Sequence, residues 1–151
     1  MTKARNLYLL LARDASTDSN DSMNTITKII DIFNASRPKN TKNDDSVSGI
    51  PISYSIASLW LLDKTAKKNE SYKVVFETLD TKGENIGSFN LEYTPPFETK
   101  RLSFNAQANA LPARREGEYT LKATLYKGNE VLASAEYPYA LAVEWVEQEN
   151  A

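Results

Sequence analysis

Ten residues late in the chain, Gly117-Glu118-Tyr119-Thr120-Leu121-Lys122-Ala123-Thr124-Leu125-Tyr126, alternate in character without interruption. Successive side chains of a strand point to opposite faces, so the pattern predicts one buried face and one wet face. Lys127-Gly128-Asn129-Glu130 follows as a tight hairpin turn, and Val131 to Tyr137 returns as its partner. Pro138 then interrupts the pattern, and Tyr139 to Trp145 predicts a final strand.

Segments of the same kind recur along the chain. Leu7 to Ala12 is a short apolar run that predicts a first strand. Thr25 to Phe33 is rich in Thr and Ile, which favours a strand, although Ile26, Ile29, Ile30 and Phe33 also match helical spacing. The reading leans to a strand because Arg37-Pro38 closes the segment, and helix over residues 23–34 stays open. Ile50 to Leu62 predicts a core strand, its large parity including Trp60. Tyr72 to Glu77 and Ile86 to Tyr93 form a hairpin about the Asp80-Thr81-Lys82-Gly83 turn, stopped by Pro95-Pro96. Leu102 and Phe104 alternate in a further strand that ends before Leu111-Pro112.

Eight or nine short strands with regular turn signals, and at most one short helix, predict an all-β fold. The expected architecture is an antiparallel β-sandwich, immunoglobulin-like or C2-like. One domain spans residues 1–151, with a flexible loop near 37–48 and a polar tail at 147–151. At 151 residues and 41% hydrophobic content the chain can bury a sufficient core without metal or disulfide.

Composition narrows the chemistry. Cysteine and histidine are both absent, which removes disulfides, thiol nucleophiles, imidazole bases and Ser-His-Asp relays. The net charge of −2 gives no field to draw nucleic acid or anionic lipid. No apolar stretch approaches the roughly 20 residues of a membrane span. The Leu7–Ala12 run is too short for a signal-peptide core, and Arg13-Asp14 follows it where small residues would be needed. A cytoplasmic protein with no cofactor is expected.

Gly117-Glu118-Tyr119 resembles the Gly-x-Tyr opening of a late strand in immunoglobulin-like and C2-like sandwiches. There the tyrosine hydroxyl bonds back to nearby backbone. The order of Ile30-Asp31-Ile32-Phe33, Ser58-Leu59-Trp60, the Leu79–Gly83 hairpin and the Gly-x-Tyr strand extends the likeness. Over residues 5–145 the chain resembles an uncharacterised group of small bacterial single-domain β-sandwich proteins, a domain of unknown function. Where those relatives carry a glycine in the second strand, this chain has Lys28 or Ile30. The resemblance carries no catalytic residue.

Candidate binding residues fall into three sets. Asp14, Asp18 and Asp21 in one loop, with Asp44 and Asp45 in another, could hold Ca²⁺ through oxygens as C2-like domains do. Acidic loop residues are ordinarily solvated. Tyr126, Tyr137 and Tyr139 flank the last hairpin as a candidate ligand or partner surface, though aromatics at strand spacing are ordinarily core. Glu77, Glu92 and Glu98 are the carboxylates open to an enzymatic reading, with nothing to pair them. The leading expectation is therefore a non-enzymatic protein-interaction or scaffolding module. Its edge strands can pair with a protein partner or a second copy. The alternative is a sandwich binding a small ligand, carbohydrate or calcium, through loops at one end.

Overall fold

Alternation in the sequence becomes alternation in burial. Tyr119, Leu121, Ala123 and Leu125 are buried while Glu118 is exposed, so the strand holding them has one face in the core. The computed structural model describes residues 3–17 and 24–147, and these form eleven strands and no α-helix. The first five are β1 (Ala4–Thr17), β2 (Asn24–Ile29), β3 (Ile32–Pro38), β4 (Ser48–Ile50) and β5 (Tyr54–Ala66). Then come β6 (Tyr72–Leu79), β7 (Asn85–Tyr93), β8 (Thr99–Ala108), β9 (Leu111–Ala113), β10 (Gly117–Lys127) and β11 (Glu130–Val146). A single 3-10 turn covers Lys39–Thr41.

The strands make three sheets. One has the order β2-β1-β5-β8, a second β3-β11-β10-β6-β7, and β4 pairs with β9 in a third. A single apolar core draws Leu11, Ile56, Trp60 and Leu102 from the first sheet and Phe76, Leu121, Leu125 and Leu141 from the second. Trp60 is fully buried, and its indole N–H donates to Ser58 Oγ at 3.0 Å. Aromatic edges continue the core at one end, where Phe33 meets Tyr54 and Tyr139, and Tyr139 stacks on Tyr119.

Three expectations are corrected. The count is eleven strands rather than eight or nine. The β4–β9 ladder joins two segments of three residues each, too short to show a period. The segment after Asn24 forms strands and no helix but divides in two, because Ile30-Asp31 carries the chain from the first sheet to the second. Ile30 N–H bonds Leu11 O, and Ala140 N–H bonds Asp31 O. The fold is also not wholly antiparallel, since β3 runs parallel to β11 from Ile32↔Ala140 to Pro38↔Val146.

Pro138 does not end a strand. It lies inside β11 opposite Thr120, whereas the β3 ladder begins only at Ala140. At a non-hydrogen-bonded position against β10 its nitrogen faces away from that strand, toward a flank where no strand pairs, so the missing N–H goes unused.

Lys28 takes φ 56, the left-handed conformation that glycine ordinarily supplies. Arg37 and Pro38 belong to β3, and Arg37 bonds Ser48 Oγ and Arg114 O. The loop between β3 and β4 is thus anchored at its start. The polar tail from 148 onward lies outside the described residues.

Trp60→Ala is expected to cost about 3–5 kcal/mol, since it removes the largest fully buried side chain and leaves a cavity. Urea denaturation of the two proteins measures it, and a variant as stable as the parent would remove Trp60 from the core.

Candidate functional site

The four outer strands of the two larger sheets differ in what guards them. Lysine, proline and bulges on an edge discourage pairing with another chain. β8 carries Lys100 and Arg101, β3 ends in Arg37-Pro38, and β2 has Lys28 at its positive φ. β7 has no Lys, Arg or Pro over its nine residues and its one charge is Glu92; it carries a bulge at Ile86, near its start, and pairs with β6 in regular register from Gly87 to Tyr93. Among the described residues it pairs only with β6.

A cavity of about 200 Å³ opens beside this edge. Its floor is made by Leu11, Ile56, Leu121 and Tyr139 of the core, and its rim by β7 and the chain from Ala108 to Pro112. Gly87, Ser88 and Phe89 all line it. Three consecutive residues of β7 therefore border the cavity. Phe89 is 40% exposed although its ring packs at a tilt against buried Phe76, with centroids 5.2 Å apart.

Small side chains create the space. Gly87, Ala108 and Ala110 stand where larger residues would close it. Gly87 also admits Pro112, because a Cβ there would lie 2.9 Å from Pro112 Cγ. Among the described residues, no ionisable acid or base lines the cavity apart from two phenols. Tyr54 donates to Ala110 O at 3.3 Å, and burial pushes its hydroxyl up to about 12. Burial likewise raises Tyr139. Both stay neutral, so neither brings a charge to the cavity.

A polar cluster ties the loops at the neighbouring end. Arg114 Nη1 donates to Asp80 Oδ2 at 3.0 Å and to Glu84 Oε2 at 2.6 Å. Asp80 Oδ1 accepts from the backbone N–H groups of Lys82 and Glu84, both at 2.9 Å. Burial alone would raise the Asp80 carboxyl, but those amides and the Arg114 guanidinium outweigh it and hold it below its ordinary value. Tyr119 hydroxyl accepts from Arg114 N–H at 3.0 Å and donates to Arg115 O. This is the backbone-bonded tyrosine expected from the Gly-x-Tyr run, and it is architecture. Gly117 at φ 137 lets the β6–β7 turn close on it, since a Cβ would lie 2.9 Å from Thr81 Cγ2.

The described acidic candidates, Asp14, Asp44 and Asp45, are taken up by separate local contacts. Asp14 is exposed on β1 and accepts from Gln107 at 3.4 Å. Asp44 caps its own loop by accepting from Ser46 N–H, which lowers its carboxyl, and Asp45 pairs with Arg115 at 3.0 Å. Asp18 and Asp21 lie outside the described residues. Among the described residues no three His, Cys, Asp or Glu side chains are grouped to hold a metal.

The tyrosine candidates separate as well. Tyr139 is a correction, being 3% exposed in the core because its parity on β11 faces inward. Tyr137 is half-buried, its hydroxyl bonding Ile30 O at 2.7 Å across the sheet-to-sheet crossing. Tyr126 is half-buried under Lys73, whose ammonium sits 5.3 Å from the ring centroid. The three do not form one surface. No family model matches the chain, and no curated protein matches it.

Two outcomes follow from the polar cluster. Tyr119→Phe is expected to destabilise by about 1–3 kcal/mol in chemical denaturation, because it strands the backbone groups its hydroxyl satisfies. Asp80 has a folded pKa below its ordinary 3.8. Its contribution is therefore full above that value and is lost as pH falls through the depressed one. Melting followed from about pH 5 to pH 2 should decline less steeply for Asp80→Asn, which is weaker at neutral pH, than for the parent.

Proposed function

We propose that the chain is a non-enzymatic protein-interaction module that takes an extended segment of a partner onto the free edge of β7. The two larger sheets are read as the layers of an immunoglobulin-like or C2-like sandwich, with β7 at an open side. The observation that carries this reading is the contrast among the four outer strands, in which three carry Lys, Arg or Pro and β7 carries none and is regular from Gly87 to Tyr93, beyond its bulge at Ile86. Strand addition uses main-chain N–H and C=O groups for affinity, so a stretch in regular register and free of Lys, Arg and Pro is the feature it requires. The resemblance to the bacterial sandwich group supports a bacterial setting, and the proposed location is the cytoplasm. A scaffolding role needs no cofactor and no metal.

Random peptides displayed on phage and selected on the purified protein test the edge. Bound peptides are expected to slow amide hydrogen exchange at residues 88–93 and nowhere on β2, β3 or β8. Asn90→Lys with Glu92→Lys adds two lysines to exposed positions of β7. This pair should abolish binding while the circular dichroism spectrum and melting midpoint stay those of the parent. Failure to select any peptide, or protection on another edge, would overturn the reading.

A further inference from the structure

We propose that the cavity beside β7 is a specificity pocket that takes one bulky, uncharged apolar side chain, of Leu to Phe size, from the strand added to that edge. This rests on the reading of β7 as the docking edge, and it states what the docked segment must carry.

Position is the first argument. An added strand would lie about 4.8 Å from β7 and send alternate side chains toward the core. Phe89 and Gly87 are the β7 residues paired with Phe76 and Thr78, on the inward parity of β6. An inward side chain of the new strand would stand beside those two residues, where the cavity opens. Main-chain pairing and side-chain insertion thus fall within one short segment.

Size and chemistry agree with a single side chain. A cavity of about 150 Å³ lined by Leu, Ile and Phe takes a benzene ring, and this one measures about 200 Å³. Pockets for whole metabolites or drugs run from about 300 to 1,000 Å³, so the space suits one residue better than a free ligand. The Tyr54 hydroxyl is already committed to Ala110 O. A charged side chain would be desolvated there without a counter-ion, and a short polar one would leave the apolar floor uncovered.

The walls are preorganised. Leu11, Ile56, Leu121 and Tyr139 belong to the core and do not depend on an occupant for their places. Pro112 against Gly87 fixes the rim. Rigid walls reduce the ordering cost of binding and favour one shape over others.

The test uses the peptides selected on the intact protein. They are expected to share one position occupied only by Leu, Ile, Met or Phe, and alanine at that position should weaken binding on the order of thirtyfold. Ala110→Phe in the protein, which fills the pocket from its rim, should weaken the parent peptide to a similar degree. It should leave the alanine peptide unchanged, since both changes remove the same contact. Ala108→Leu provides a second filling variant if the first does not fold. Peptides that protect β7 amides but share no apolar position, and that ignore both filling variants, would overturn the pocket and leave the edge reading intact. Peptides that lose affinity on filling while β7 amides exchange freely would overturn the edge reading, and this inference with it. Indole alone stabilising the protein, with no anchored peptide found, would assign the cavity to a free small molecule and overturn the proposal.

Discussion

Both large sheets must bury their inward faces against something, and they do so in one shared core around Trp60, Phe76 and Leu125. Burial of that apolar surface is the dominant favourable term available to a chain with no disulfide. The remaining features are arranged around it. The Asp80–Arg114–Tyr119 cluster fastens loops over one end of the core, and the Ile30-Asp31 crossing moves the chain between its sheets. The cavity marks the side where the core runs out of large side chains, at Gly87 and Ala108.

Much of the fold was legible because the period of a strand is short and local. The alternation from Gly117 to Tyr126 matches the burial of β10 except at Thr124, which is buried on the polar parity, and the Asp80–Gly83 turn stands where its Asp and Gly indicate. What was not legible depends on partners distant in sequence. The parallel course of β3 is fixed by which side of β11 remains open after the crossing, and nothing between Ile32 and Pro38 encodes direction. Pro138 reads as a stop because proline lacks a donor, yet the cost depends on whether a neighbouring strand would have used it. Ser48–Ile50 and Leu111–Ala113 are too short to carry any pattern.

The candidate site was less legible still, for a related reason. Tyr139 looked like a surface residue because it adjoins a hairpin and a proline, whereas parity decided its place. Gly87 reads as a residue within an ordinary hairpin strand, and its meaning comes from Pro112 arriving beside it. The absence of Lys, Arg and Pro from Asn85–Tyr93 was visible in the sequence. It gains significance only once the sheet order puts that strand at an edge.

The β3–β11 ladder has a consequence for how the molecule assembles. It joins Ile32–Pro38 to Ala140–Val146, so nearly all of the intervening chain must be made and gathered before the two segments can meet. Closing so long a loop costs entropy ahead of any return from hydrogen bonds, and contacts of this kind slow folding. The β10–β11 hairpin, joined by a short turn, needs no such wait. During synthesis β3 therefore emerges early and stays without its sheet until the last strand is complete. Over that interval Ile32 and Phe33 lack their parallel partner, and the time the ribosome takes to reach Val146 sets how long they do.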